Sequence, residues 1–239
     1  MSKVVNPFSH RLTILRDWRH RWFATGAQYQ AFLKADILLR QELQKMLRGM
    51  YVDGIEFERG AKTLRIIIKT SRPGVIIGRS GEGSVKLKNR VTSFLTNKKL
   101  FVPEIKIDIE EVRSPESSAA IVAYMIAEGL EKRMPFRRVL KQTIEKVMAN
   151  REVKGVRVCL SGMLGGGSMS RTEELKRGRV PLQTFRSDID FARERANLAL
   201  GVIGVKVWIY KGEVFNADAR KESVADARSY QRSSAAIPR

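Results

Sequence analysis

Cysteine, histidine, acid and long apolar runs are all scarce in this chain. The single cysteine, Cys159, cannot close an internal disulfide, which points to a reducing interior, the cytoplasm or an organelle matrix. Cys159 itself lies in an alternating run and reads as core. The only histidines, His10 and His20, together with that thiol fall short of a complete structural zinc site, so no metal is expected. The best apolar run, Ala119 to Ala127, is far shorter than the ~20 residues that cross a bilayer, and no transmembrane helix is expected. The basic start, Met1 to Arg21, is interrupted by Asn6, Pro7, Ser9 and Thr13 and lacks the apolar core of a secretion signal, so export is not expected. Gly162 to Ser168 has the glycine spacing of a phosphate loop without its lysine, and Gly78, Gly81 and Gly83 have the wrong order of gaps for a dinucleotide fingerprint. Asp188 and Asp190, read on a helix, point about 200° apart and make no acid and base pair; they read as decoration of a helix start. No cofactor and no catalytic residue is expected.

What is there in excess is positive charge. Across 239 residues, 45 Lys and Arg stand against 25 Asp and Glu, a formal charge of +20. Solubility does not require so much. Each cation laid on a phosphate releases a condensed counterion, so a surplus of this size favours nucleic acid as partner over an anionic membrane. With 43% hydrophobic residues the chain still buries a real core, and its length suits two domains.

Patterning supplies the elements. From Gln28 to Arg48, Phe32, Leu39, Leu43 and Met46 recur at helical spacing. Ile55 and Phe57 alternate with Glu56 and Glu58, then Leu64, Ile66 and Ile68 with Arg65 and Ile67, which reads as two strands about a Gly60 turn. Val75 to Ile77 reads as a short buried piece. After Gly78 to Gly83 a helix carries Leu87, Val91, Phe94 and Leu95 inward, and Pro103 opens a strand with Ile105, Ile107 and Ile109 on one side. Ser114-Pro115-Glu116 reads as the capped start of a helix through Ala120, Ala123, Ala127 and Leu130, with the domain boundary beside it. A helix from Phe136 to Met148 follows, then a strand through Val156, Val158 and Leu160, a Gly-rich turn, a helix over Asp188 to Leu200 and a last strand through Val205, Val207 and Ile209. No repeat recurs at a fixed period. The expected fold class is α+β: a basic arm over 1–26, a first domain with the nucleic-acid-binding charge over 27–112, a second two-layer α/β domain over 113–215, and a disordered tail over 216–239, where Ala, Ser, Asp and Arg alternate without period.

Four cationic groups stand out. The first is Gly78-Arg79-Ser80-Gly81, a GXXG turn between a short and a long helix, with Arg72 just before it. Glycines there let a nucleic-acid backbone approach closely, and the following helix start offers free N–H groups to phosphate. An ordinary helix cap would look the same in isolation, but from Ala61 to Lys106 there are 11 Lys and Arg against 2 acids, which a cap does not need. The second is Arg137, Arg138 and Lys141, within a ~100° arc beside the apolar stripe of Phe136, Leu140 and Ile144; on pattern alone such a face is usually solvated surface. The third is Arg171, Lys176, Arg177, Arg179 and Arg186, suited to forked phosphate binding, with Glu173 and Glu174 leaving a solvated hairpin as the alternative. The fourth is the start, with Lys3, Arg11, Arg16, Arg19 and Arg21 around Trp18 and Trp22, whose rings either stack on RNA or pack on a domain.

The order helix, strand, strand, helix, helix, strand around the GXXG turn resembles the KH domain in the bacterial arrangement with an extra helix and strand in front. The likeness extends. Lys3 to Pro7 followed by Arg11-Leu12, the run Ser71 to Gly78, and above all Ser170-Arg171, Gly178, Val180, Gln183, Phe185, Ile189-Asp190, Leu198, Gly201 and Gly204 resemble the bacterial-type family of small ribosomal subunit protein three over roughly Met1 to Val214. This chain has Ser2 and Thr13 where that family usually carries glycine, and one cation, Arg79, inside the GXXG where the family often has two. The resemblance implies a non-catalytic constituent of the ribosome, with no cofactor, bound to small-subunit ribosomal RNA in the head. It also implies that Arg137, Arg138 and Lys141 line the mRNA entry channel, helping to hold and unwind message. The neighbours it implies are ribosomal proteins of families ten and fourteen in the head and of families four and five at the mRNA entry, with no membrane partner. The rival readings are a free KH factor of RNA processing or transcription, which lacks the Ser170 to Gly204 spacing, and a nuclease or GTPase with an appended KH domain.

Overall fold

The computed structural model describes residues 5–60, 63–98, 100, 104–199 and 201–215. Lys3, Pro103 and the tail after Phe215, on which expectations were placed, lie outside the described residues.

Two four-stranded sheets organise the chain. The first has the order β1-β2-β3-β4, formed by His20–Arg21, Val52–Arg59, Thr63–Thr70 and Glu104–Glu111; only the β2/β3 pair is antiparallel. The alternation of Ile55, Phe57, Leu64, Ile66, Ile68 and Ile105 puts six apolar side chains on one face. Helices α2 (Gly26–Met46), α3 (Pro73–Ile77) and α4 (Glu82–Asn97) cover that face with Leu39, Leu43, Ile76, Val91 and Leu95. The opposite face carries ion pairs in place of a second layer: Arg65 with Asp108 and Glu58, and Lys69 with Glu56 and Glu110. The Val75 to Ile77 piece differs from the sequence reading. It is a helical turn in which Ile76 is buried while Val75 is 60% and Ile77 39% exposed, because one turn can present only one side chain to the core.

The second sheet is antiparallel throughout, in the order β6-β5-β8-β7: Arg171–Gly178, Gly155–Gly162, Gly201–Glu213 and Ser187–Leu198. Helices α5 (Ala119–Glu131) and α6 (Phe136–Ala149) lie on one face over Val156, Val158, Leu160, Val205, Val207 and Ile209. The helix expected over Asp188 to Leu200 is instead β7. Its Ala, Arg, Glu and Leu content suits a helix, but pairing with β8 along its whole length overrides that weak preference. The strand lets Ala192 and Ala196 face α5, whose own Ala119, Ala123 and Ala127 permit close approach. The start of α5 also moves. Pro115–Ser117 is a separate 3-10 turn, and the cap is Ser118, whose hydroxyl accepts from the Ile121 N–H at 3.4 Å. Asp190 of β7 accepts from the Ala119 N–H at 2.8 Å, so it does serve a helix start, though one 71 residues earlier in the chain. Cys159 is half-buried on the outer sheet face, beside a small cluster of Ile189, Trp208 and Tyr210 and away from the main core; burial pushes its thiol pKa up. Among the described residues no helix is long and apolar enough to cross a membrane.

The start of the chain is docked against both units. A short helix, α1 (Pro7–His10), leads to Arg11, and His10 stacks on Phe185 at 4.2 Å between centroids. His20–Arg21 joins the first sheet. Trp22 packs on Tyr29 and Phe32 of α2, the packing alternative left open by the sequence, whereas Trp18 is 57% exposed.

Candidate nucleic-acid interface

The GXXG turn owes its shape to its glycines. Gly78 (φ 70°, ψ −176°) ends α3 in a conformation that essentially only glycine adopts, and Gly81 (φ 79°) starts α4 from the left-handed region. A third glycine fixes the spacing of the two helices: a Cβ on Gly83 would lie 2.3 Å from the Ile76 carbonyl oxygen. Spacing alone reads Gly83 as the end of a glycine run and as a poor match to a dinucleotide fingerprint; the signal for its packing role is its place in the first turn of α4. The result is that Arg79 and Ser80 are exposed, while the Ser84 hydroxyl donates to the Gly81 carbonyl at 2.7 Å. Arg72, before α3, rests its guanidinium 4.3 Å above the Tyr51 ring.

On α6 the burial follows the pattern: Val139, Leu140, Ile144 and Val147 face the core and Arg137, Arg138 and Lys141 are exposed. The structure joins this face to the edge strand β6. Arg137 and Arg171 both pair with Glu173, at 3.6 and 3.5 Å, and both guanidiniums lie over the Phe136 ring, at 5.6 and 5.5 Å. Glu173 was read as a neutralising charge. It instead ties the cation of α6 to that of β6, and the sequence held no signal for that because Arg137 lies over 30 residues from Glu173 and Arg171.

The run from Arg171 to Arg186 is divided by the pleat. Arg171 and Arg177 lie opposite Gly162 and Val156, on the helix side of the sheet, while Lys176 lies opposite Arg157 on the outer face. There Arg157 pairs with Glu174 and stacks 5.0 Å over Trp208. Arg179 follows Gly178 and is exposed; Arg186 precedes β7, on the other edge of the sheet, and pairs with Glu213 at 2.7 Å. The five cations therefore do not form one patch.

Arg11 is a correction. Its side chain is 0% exposed, and its guanidinium donates to the carbonyls of Ser187 at 2.6 Å, Leu182 and Thr184 at 2.9 Å, and Pro7 at 3.1 Å. Every face of the group is engaged, so no phosphate reaches it; burial also pulls its pKa down. Arg16 is half-buried, bound to Asp188 at 2.8 Å and to Asp190 at 3.4 Å. Burial opposes its charge, but Asp190 and Asp188 outweigh that and hold its pKa above the ordinary value. The two aspartates read as diverging on a helix converge on one guanidinium because β7 is a strand, on which residues two apart point to the same face.

Comparison with known proteins agrees with this architecture. Residues 38–117 match the model of the KH domain, and residues 126–209 match that of ribosomal protein S3, C-terminal domain. The chain is 43% identical over 225 residues to small ribosomal subunit protein uS3 of Coxiella burnetii strain RSA 331, covering 94% of this chain and 96% of that protein. It is 42% identical over 225 residues to uS3 of Legionella pneumophila strain Corby (94% and 100%), and 44% identical over 214 residues to uS3 of Ectopseudomonas mendocina (90% and 91%). These relatives are ribosomal constituents and not enzymes, so the nuclease and GTPase readings fall away along with the free KH factor. By identity, coverage and both matched domains, the chain belongs to the family of small ribosomal subunit protein uS3.

Proposed function

We propose that the chain is a structural constituent of the small ribosomal subunit, ribosome-bound in the cytoplasm, that binds ribosomal RNA in the head and lines the path of incoming mRNA with Arg137, Arg138 and Lys141. The observation that carries this reading is the surface shared by α6 and β6. Three cations on α6 are turned outward by a fully buried apolar stripe, and Phe136 and Glu173 fix Arg137 beside Arg171. A row of guanidinium and ammonium groups held on a rigid helix can grip the phosphates of a single strand without reading its bases, and so favours the unpaired form of the message. The work of translocation is supplied by the ribosome. In this reading Arg79 and Ser80 of the GXXG turn, with Arg72, and the exposed Lys176, Arg177 and Arg179 face ribosomal RNA. Arg186 and the chain start around Lys3 belong to the same RNA-facing set. Neighbouring proteins of families ten and fourteen border the chain in the head, and those of families four and five border it at the mRNA entry.

Replacing Arg137, Arg138 and Lys141 together by Ala tests the channel role. The expected result is slower translation through structured messages with little change on unstructured ones, measured with matched reporters in a reconstituted system. Equal slowing on both would refute it.

A further inference from the structure

Between the two units runs a groove of about 780 Å³, walled on one side by α2 and on the other by β7. Its charge is unbalanced. Arg40 and Lys45 stand on the α2 wall, Arg193 and Arg195 on the β7 wall, and Arg19 comes from the segment before β1. Of the acids lining it, Asp53 accepts the Ser118 hydroxyl, and Asp190 is occupied by Arg16 and the Ala119 N–H. Only Glu194 remains among the lining carboxylates without such a tie.

The decisive pair is Arg19 and Arg40. Both are half-buried, and among the described residues neither has a carboxylate within ion-pair distance; Arg19 lies instead 4.5 Å over the Phe8 ring. Burial, then the charge of Arg19, also pull the Arg40 pKa down. Elsewhere the fold answers a buried arginine: Arg59 has Asp36, Arg16 has two aspartates and Arg11 five residues' carbonyls. An unpaired cation withdrawn from water is costly unless an anion joins it.

We infer that this interdomain groove is a separate RNA-backbone site, in which a strand of ribosomal RNA lies between α2 and β7 with its phosphates on Arg19, Arg40, Arg193 and Arg195. The inference rests on the RNA-binding reading above but concerns a surface distinct from both the GXXG turn and α6. A concave, two-walled cationic cleft suits a thread of phosphates and not the plane of a membrane. Gln41 and Gln44 on the α2 wall add amides suited to ribose hydroxyls.

Binding of the full-length chain to small-subunit ribosomal RNA, titrated over a range of salt, tests this. For Arg40→Gln/Arg193→Gln/Arg195→Gln the expected result is an affinity loss of about tenfold or more and a salt slope shallower by about three, near one per lost phosphate contact. Arg40→Gln alone is expected to melt at the same or a higher temperature than wild type, since it relieves an unanswered charge. Should it unfold instead, Arg193→Gln/Arg195→Gln, at exposed strand positions, carries the test with a slope change of about two. Unchanged affinity and slope beside normal wild-type binding would overturn the groove and leave the proposed function standing. A wild-type chain that fails to bind the RNA would overturn both. In intact subunits, a photo-cross-linker on Gln44→Cys is expected to capture RNA; capture of a neighbouring protein would also overturn the groove.

Discussion

Gly83 shows how one missing methyl can set the position of a functional turn. Alanine there would place its Cβ against the Ile76 and Ile77 carbonyls, both backbone, so α3 and α4 would have to part. Gly83→Ala is expected to cost about 1–3 kcal/mol by overpacking, offset by up to ~1 kcal/mol of helix preference, and to displace Arg79. Urea unfolding measures the first effect; an undiminished stability would mean that the two helices are not in such close contact. His20 carries the second prediction at this scale. Burial, and after it the charge of Arg40, lower its pKa below the ordinary 6.5, and its Nδ1 accepts from the Phe57 N–H at 3.2 Å. The fold thus favours neutral imidazole. That contribution is full above 6.5 and is lost as pH falls from there toward the lower folded value. A His20→Asn variant should flatten the decline in stability on acidification over that window, and an unchanged slope would place the acid sensitivity elsewhere.

Elements whose signals are local were legible in the sequence. The period-2 runs of β2, β3, β4 and β5 and the helical stripes of α2, α4 and α6 formed where the residues alone placed them, because each buries its apolar face against the nearest layer. β7 was not legible, since its pairing with β8 and its contact with α5 come from tertiary structure. The candidate site divides in the same way. Exposed cations at the GXXG turn and on α6 could be read from spacing, whereas the internal fate of Arg11 depended on carbonyls more than 170 residues away. Asp190 concentrates what was missed: it binds Arg16, caps the Ala119 N–H and sits on a strand taken for a helix. Asp190→Ala leaves Arg16 with Asp188 alone and the Ala119 N–H of α5 without its acceptor, though Ser118 still caps the helix, so a loss of about 3 kcal/mol is expected by thermal or urea unfolding. A loss under ~0.5 kcal/mol would show that Asp188 and Ser118 suffice.

At the scale of the whole molecule, the two units must hold a fixed relation if the GXXG turn, the groove and the α6 face are to meet one RNA scaffold together. A compact set of polar ties supplies it. Tyr51, at the edge of the first sheet, donates its hydroxyl to Glu128 of α5 at 2.5 Å; Glu128 also binds Lys132 at 2.7 Å, and Arg72 lies over the Tyr51 ring. Nearby, Arg48 of the first unit pairs with Glu131, which also accepts the Asn197 N–H at 3.0 Å. The hydrogen bonds from Lys132 and then from Tyr51 hold the Glu128 pKa below its ordinary 4.5. The stabilisation that Glu128 brings is therefore complete above 4.5 and disappears as pH falls through the lower folded value. Tyr51→Phe removes one donor to a charged acceptor at a partly exposed site, so the expected loss at neutral pH is about 1 kcal/mol. That loss should shrink once Glu128 is protonated, because the neutral acid no longer rewards the phenol with a charge-assisted bond. Unfolding of wild type and variant followed in parallel from neutral to acidic pH measures both halves of the expectation. If the difference between them stays constant across the carboxylate range, Tyr51 acts through packing and the relation between the units is set by the apolar contacts of α5 alone.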